Sequence, residues 1–281
     1  MHVLVAGAGW LGSSVARALA GSGHRVTAVR RDPGRAAALL SPGVDPLALD
    51  LSGPEALERL PRDLDAVVAC QSAGADGPEA YRRAYVTCTR TLLDALRAAG
   101  RPAVLLYTGS TGVFGQRDGS DVDEETSPAP AGPAAEVLVE AEELVRGAAR
   151  DGIRSMVLRL SGLYGPGRTW PVERVRAGQI ALGPGDGAWL NLCHLEDAVS
   201  AVLAGLARGG AGSVYHASDA EPVRRRDLVQ WVSSRLGIAP PHLPPEARPS
   251  SLPDRRIRAE WTRAALGLEL RYPTYRQGLA S

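Results

Sequence analysis

The chain has 281 residues, 44% of them hydrophobic, and its 32 basic and 31 acidic side chains leave a net charge of +1. That length accommodates one large α/β core, or a nucleotide-binding unit with a smaller lobe, and scattered basic residues in a near-neutral chain predict neither nucleic acid nor an anionic membrane as partner. Every basic residue is arginine, with no lysine anywhere, and Cys70, Cys88 and Cys193 are odd in number and widely spaced, so neither a disulfide framework nor a metal site is expected and a reducing cytoplasm is the expected setting.

The N-terminal run His2-Val3-Leu4-Val5-Ala6 is too short for a membrane span and leads straight into a glycine turn, so it reads as a first strand. In chain order, strands are expected at residues 3–6, 25–30, 46–49, 65–70, 103–107 and 154–160. Helices are expected at 13–20, about 54–60, 79–99 and 134–149. This alternation is the pattern of parallel strands joined by crossover helices. Six such strands fit a doubly wound sheet of order 3-2-1-4-5-6. Residues 118–133, rich in acidic residues, proline and alanine, read as a surface loop.

Composition shifts after about Gly165. Glycine and proline punctuate residues 166–187, prolines crowd again over 240–253, and helical patterns occupy 196–207 and 226–236. The expected organisation is a dinucleotide-binding unit over 1–165 and a smaller C-terminal α/β substrate lobe over 166–281. The two interleave, because one helix and one strand of the second are expected to return to the sheet.

Gly7-Ala8-Gly9-Trp10-Leu11-Gly12 falls between the first strand and an alanine-rich helix. In a Rossmann-type unit Gly7 permits the tight turn, Gly9 leaves room for the pyrophosphate, and Gly12 lets helix and sheet pack closely. Trp10 and Leu11 then belong to the helix N-terminus that faces the phosphates. At the end of the second strand, where an acidic residue would bind the ribose hydroxyls of NAD, stand Arg30 and Arg31. Guanidinium groups there suit the 2′-phosphate of NADP, while Asp32 keeps NAD open as the alternative. Asp50, after the third strand, is placed either near the adenine or as a helix cap.

These residues resemble the extended short-chain dehydrogenase/reductases, the NAD-dependent epimerase/dehydratase group. Tyr107-Thr108-Gly109-Ser110-Thr111-Gly112-Val113-Phe114-Gly115 is similar to that family's serine motif, Arg159-Leu160-Ser161-Gly162-Leu163-Tyr164-Gly165-Pro166-Gly167 to its loop after the sixth strand, and Asn191-Leu192-Cys193-His194-Leu195-Glu196-Asp197 to its histidine and aspartate motif. The glycine turn is one residue shorter than the usual extended form, which resembles the atypical branch of bacterial YeeZ-type proteins.

The resemblance breaks at the catalytic pair. A tyrosine and a lysine four residues apart open the family's helix after the serine loop, and the lysine lowers the tyrosine pKa for proton exchange with substrate. Alignment on Glu140-Ala141-Glu142 puts Ala134 and Leu138 in those places, and a chain without lysine offers no other register. The resemblance leaves Ser110 to hydrogen-bond substrate, Tyr164 to orient substrate or nicotinamide, and His194 as a spare acid or base. Glu136 and Glu140 are expected as solvated helix-surface carboxylates. Trp170 and Trp189 are candidates for a substrate pocket or for the core, and Arg224-Arg225-Arg226 reads as a solvated face.

The function implied is an NADP-dependent oxidoreductase acting on a small carbonyl, hydroxyl or sugar-like molecule. The alternatives are a non-catalytic NADP-binding redox sensor or partner-binding protein, and a lyase or isomerase holding a nucleotide. Helices over 79–99 and 134–149 are candidates for a homodimer interface.

Overall fold

The computed structural model describes residues 1–73, 77–244 and 253–280. Strand β1 (His2–Ala6) leads into α1 (Trp10–Gly21), β2 (Arg25–Arg30), α2 (Pro33–Ala37), β3 (Val44–Ala48), α3 (Ala56–Arg59), β4 (Ala66–Ala69) and α4 (Pro78–Tyr81). A π-helical turn, Arg82–Thr87, runs directly into α5 (Cys88–Ala99). Next come β5 (Val104–Ser110), a 3-10 turn (Thr111–Val113), β6 (Ser120–Val122), α6 (Pro133–Gly147), β7 (Arg154–Leu160), β8 (Gly162–Tyr164) and α7 (Trp170–Arg176). The remainder comprises β9 (Trp189–Leu190), β10 (Leu192–His194), α8 (Leu195–Arg208), β11 (Val214–Ala217), β12 (Val223–Arg224), α9 (Arg225–Leu236), β13 (Arg255–Ile257), α10 (Glu260–Leu266) and α11 (Tyr275–Gly278).

The central sheet has seven strands in the order β11-β7-β5-β4-β1-β2-β3, all parallel. It is the doubly wound sheet expected from the alternation, extended by β11 from the C-terminal part. Side-chain alternation along β1 decides the layers. Val3 and Val5 pack with Val15 and Leu19 of α1 and Ala198 and Val202 of α8, whereas Leu4 and Ala6 pack with Leu92 and Leu96 of α5 and Val137 and Ala141 of α6. Pro46 is tolerated because β3 is an edge strand.

Three local expectations are corrected. The stretch 54–60 holds only the single turn α3, and 79–99 is interrupted by the π-helical turn. The supposed loop 118–133 contains β6, which pairs in parallel with β13; local composition cannot display a strand whose partner lies far along the chain. Of the proline-rich stretch 240–253, residues 245–252 lie outside the described residues. Among the described residues no helix is long and apolar enough to cross a membrane.

Candidate active site

The chain reverses direction across the sheet at β1, which pairs with β2 on one side and β4 on the other. A crevice outside the carboxyl ends of the strands is expected at such a switch point. A cleft of about 890 Å³ opens there, within the range of cofactor pockets. Its lining includes Gly7, Gly9, Trp10, Leu11 and Gly12 from the glycine turn, Arg30 and Arg31 from the end of β2, Asp50, and Ser110.

The three glycines differ in the space each provides. Gly7 has φ +80°, and a Cβ there would lie 2.5 Å from Gln71 Cα. A Cβ on Gly12 would lie 2.5 Å from the Gly7 carbonyl oxygen. Both are therefore required by the fold. At Gly9 the nearest atom would be 3.9 Å away. Packing does not demand that glycine, so its missing side chain leaves space for a ligand. Helix α1 has no side-chain cap, and its first-turn N–H groups and partial positive charge face the cleft, a ready anion site. The residues present thus fit a dinucleotide pyrophosphate.

At the β2 end, Asp32 accepts from the backbone N–H of Arg35 at 2.7 Å and caps α2. Asp32 also lines the cleft. Arg30 and Arg31 line the cleft, joined by Arg35, whose place on α2 no sequence pattern announced. Asp50 Oδ1 accepts from Ser52 N and Ser52 Oγ at 3.0 and 2.7 Å. Burial alone would raise the Asp50 pKa, but those hydrogen bonds and the positive charges of Arg31 and Arg83 outweigh it and lower the pKa. Asp50 is thus an anion beside the cleft and also organises the turn after β3.

At the other end, Ser110 Oγ accepts from Gly112 N at 3.0 Å, which sets the 3-10 turn and leaves the hydroxyl proton to donate. Leu138 lines the cleft where the resemblance places a lysine, and Ala134 lies one turn earlier on α6. Beneath them Glu142 and Arg159 form a buried pair, Nη2 to Oε2 2.7 Å, with each side chain 3% exposed. Burial raises the Glu142 pKa and Arg159 opposes it. A Cβ on Gly109 would lie 2.9 Å from Glu142 Oε1, so this carboxylate sits against the backbone that presents Ser110. Arg255 of β13 donates from Nη2 to the Thr111 carbonyl at 2.6 Å and ties the C-terminal segment to the same loop.

Tyr164 and His194 are not brought to the cleft. The Tyr164 side chain is fully buried and its hydroxyl donates to Asp219 Oδ2 at 3.1 Å. His194 caps α8, accepting from Glu196 N at Nδ1 over 3.3 Å, and its ring packs against Tyr272 at 3.8 Å between centroids. Burial lowers its pKa despite Asp197 and Glu196 nearby. The expectation of a spare acid or base at His194, and of an orienting phenol at Tyr164, is corrected, because these two side chains brace the C-terminal part; Leu160, Ser161, Gly162 and Leu163 of the same loop do line the cleft. Asn191 receives Ile257 N on its side-chain oxygen and donates to the Arg255 carbonyl, and Asp197 accepts from Arg271 N and Tyr272 N.

Other side-chain expectations resolve similarly. Trp170 packs in the lobe core and donates to the Leu163 carbonyl at 2.8 Å. Trp189 carries Arg224 and Arg256 over its ring, so the Arg224-Arg225-Arg226 run is not simply a solvated face. Glu140 pairs with Arg82 and Arg90. Sequence reading missed Arg35, Arg83, Tyr85 and Arg168 among the cleft residues. Trp10 donates to the Pro166 carbonyl at 3.0 Å and lies under the Arg168 guanidinium, which joins the glycine turn to the loop after β8.

The family model of the NAD dependent epimerase/dehydratase family matches residues 3–217, and the chain belongs to that family. It is 30% identical to a 3-diazoavenalumate denitrifying reductase from a Streptomyces species, over 99% of both chains. It is 31% identical to the 2-alkyl-3-oxoalkanoate reductase of Stenotrophomonas maltophilia, over 84% of this chain and 76% of that one. Among solved structures, a functionally unknown conserved protein from Silicibacter pomeroyi shares 27% identity at a TM-score of 0.76, covering 99% of this chain and 96% of that chain. MoeE5 in complex with UDP-glucuronic acid and NAD superimposes with a TM-score of 0.83 over 100% of this chain and 97% of its own, and at 24% identity it speaks for the fold alone.

Proposed function

We propose that this chain is an NADP-dependent reductase of small carbonyl compounds. The observation that carries the proposal is the set Arg30, Arg31 and Arg35 at the β2 end of the cleft, beside an Asp32 whose side chain caps α2. Guanidinium groups pair with phosphate in a bidentate, charge-assisted way, and the 2′-phosphate distinguishes NADP from NAD at this position. When bound, the reduced nicotinamide supplies a hydride. The protein's part is to grip phosphates with the α1 N-terminus and the arginines, and to offer the Ser110 hydroxyl to an acceptor oxygen. The reductase names of the relatives support the reductive direction.

A second reading comes from Ala134 and Leu138. Loss of the proton-transfer pair suits an acceptor that needs no proton from the protein, and the Streptomyces relative is named for a reduction with loss of nitrogen from a diazo compound. An arenediazonium ion that takes up hydride and releases nitrogen is such an acceptor.

The cofactor claim is tested by measuring NADPH and NADH affinity for the wild type and for Arg30→Ala with Arg31→Ala. Removing charge-assisted hydrogen bonds worth about 2 kcal/mol weakens NADPH roughly thirtyfold, with NADH little changed. Equal affinity of the wild type for both forms would overturn the NADP assignment.

A further inference from the structure

Resting on the reductase reading, we infer that Tyr85 is the proton donor that replaces the family's tyrosine–lysine pair, reaching the cleft from the π-helical turn packed beside α6. Three geometric features point to it. Tyr85 lines the same cleft as Ser110 and Leu138. Its ring packs on the hydrophobic cluster that contains Val113, Phe114 and Leu138, next to the serine turn and the leucine that occupies the lysine position. It also belongs to the π-helical turn Arg82–Thr87. An inserted π turn shifts the helical phase of the residues beyond it, and such turns recur at functional sites. The flanking α4 and α5 are ordinary α-helix, so the irregularity falls on the segment that faces the cleft with Arg83, Ala84 and Tyr85.

Among the described lining residues the other ionisable groups are not suited to the task. Arginine does not give up its proton. Asp32 and Asp50 are engaged at α2 and at Ser52. Cys70 and Cys88 also keep their protons, burial pushing their pKa values up to about 12 and about 11, but neither packs on the cluster of Val113, Phe114 and Leu138 beside the serine turn, as Tyr85 does.

In the proposed step, hydride from a reduced nicotinamide dinucleotide bonds to the carbonyl carbon, the C=O π pair moves to oxygen, and the Tyr85 O–H bond breaks as the alcohol O–H bond forms. The phenolate left behind takes a proton from solvent at the cleft mouth. Burial raises the Tyr85 pKa, the Ala73 N–H opposing it, and no lysine is present to lower it. The phenol is protonated at neutral pH, so it can protonate an alkoxide but cannot act as a base. Such a donor serves reduction and serves oxidation poorly near neutrality.

The experiment compares wild type and Tyr85→Phe with NADPH and the probe carbonyls phenanthrenequinone, isatin and ethyl acetoacetate. The expected result is a fall in kcat of roughly a hundredfold or more, with NADPH affinity and thermal stability retained. The wild-type rate of reduction is expected to be level across neutral pH and to decline only above the ordinary tyrosine value of about 10, where oxidation of the product alcohol rises; both limbs vanish in the variant. Fluorotyrosine placed at position 85 gives a readout independent of turnover: its fluorine NMR resonance shifts when isatin is added. An active Tyr85→Phe enzyme with an unchanged pH profile, or a resonance indifferent to isatin, overturns the inference. Reduction of benzenediazonium but of no carbonyl by the wild type also overturns it, and failure of the wild type to reduce any probe counts instead against the reductase reading itself.

Discussion

Asp219 shows how a buried side chain sets the behaviour of the C-terminal lobe. Its carboxyl accepts from Tyr164 Oη and from His194 N, yet burial dominates, and its pKa rises to about 7. A carboxyl that holds its proton more tightly when folded stabilises the fold fully below its unfolded value near 4, and that contribution is lost as pH rises through the folded value near 7. Up to about 4 kcal/mol is at stake between those limits. Urea titrations of wild type and Asp219→Asn across this range are expected to show the wild type losing stability relative to the variant as pH rises. A constant difference between the two would contradict the assignment.

At the scale of elements, the serine loop is held from below by α6 and from the side by β13. Replacing Glu142 with Ala leaves Arg159 charged and buried without its partner, a change that costs about 3–5 kcal/mol. The combined change of Glu142→Leu with Arg159→Met is expected to cost much less, because no charge is then stranded. Urea midpoints check both, and equal destabilisation would show that packing, not charge, dominates. The elements that the sequence made legible are those with local signals: β1 and α1 through the glycine turn, and α8 and α9 through their periodicity. Illegible were β6 and β13, three-residue strands whose pairing is non-local, and the π turn, whose residues read as ordinary helix. The Glu142–Arg159 pair was hidden because a carboxylate on a helix looks solvated until the strand beneath it is known. His194 misled because its motif is functional in appearance and structural in its contacts.

At the scale of the whole molecule, the C-terminal part is not an appendage. It contributes α8 and β11 to the sheet and its layer, lashes β13 to β6 and the serine turn, and through the loop after β8 meets Trp10 of the glycine turn. The glycine turn and the serine loop are thereby parts of one cleft, and the π-helical turn and α5 meet α6 through the outward ion pairs Arg82–Glu140 and Arg90–Glu140. Transfer of hydride from NADPH to an acceptor in this cleft can be followed with NADPH deuterated at the transferable position of nicotinamide C4, incubated with the protein and each carbonyl or diazonium probe. Deuterium is expected on the carbon of the reduced product, with NADPH oxidised in equal amount. Tight NADPH binding with no deuterium in any product would refute hydride transfer and leave a nucleotide-binding protein that performs no reduction.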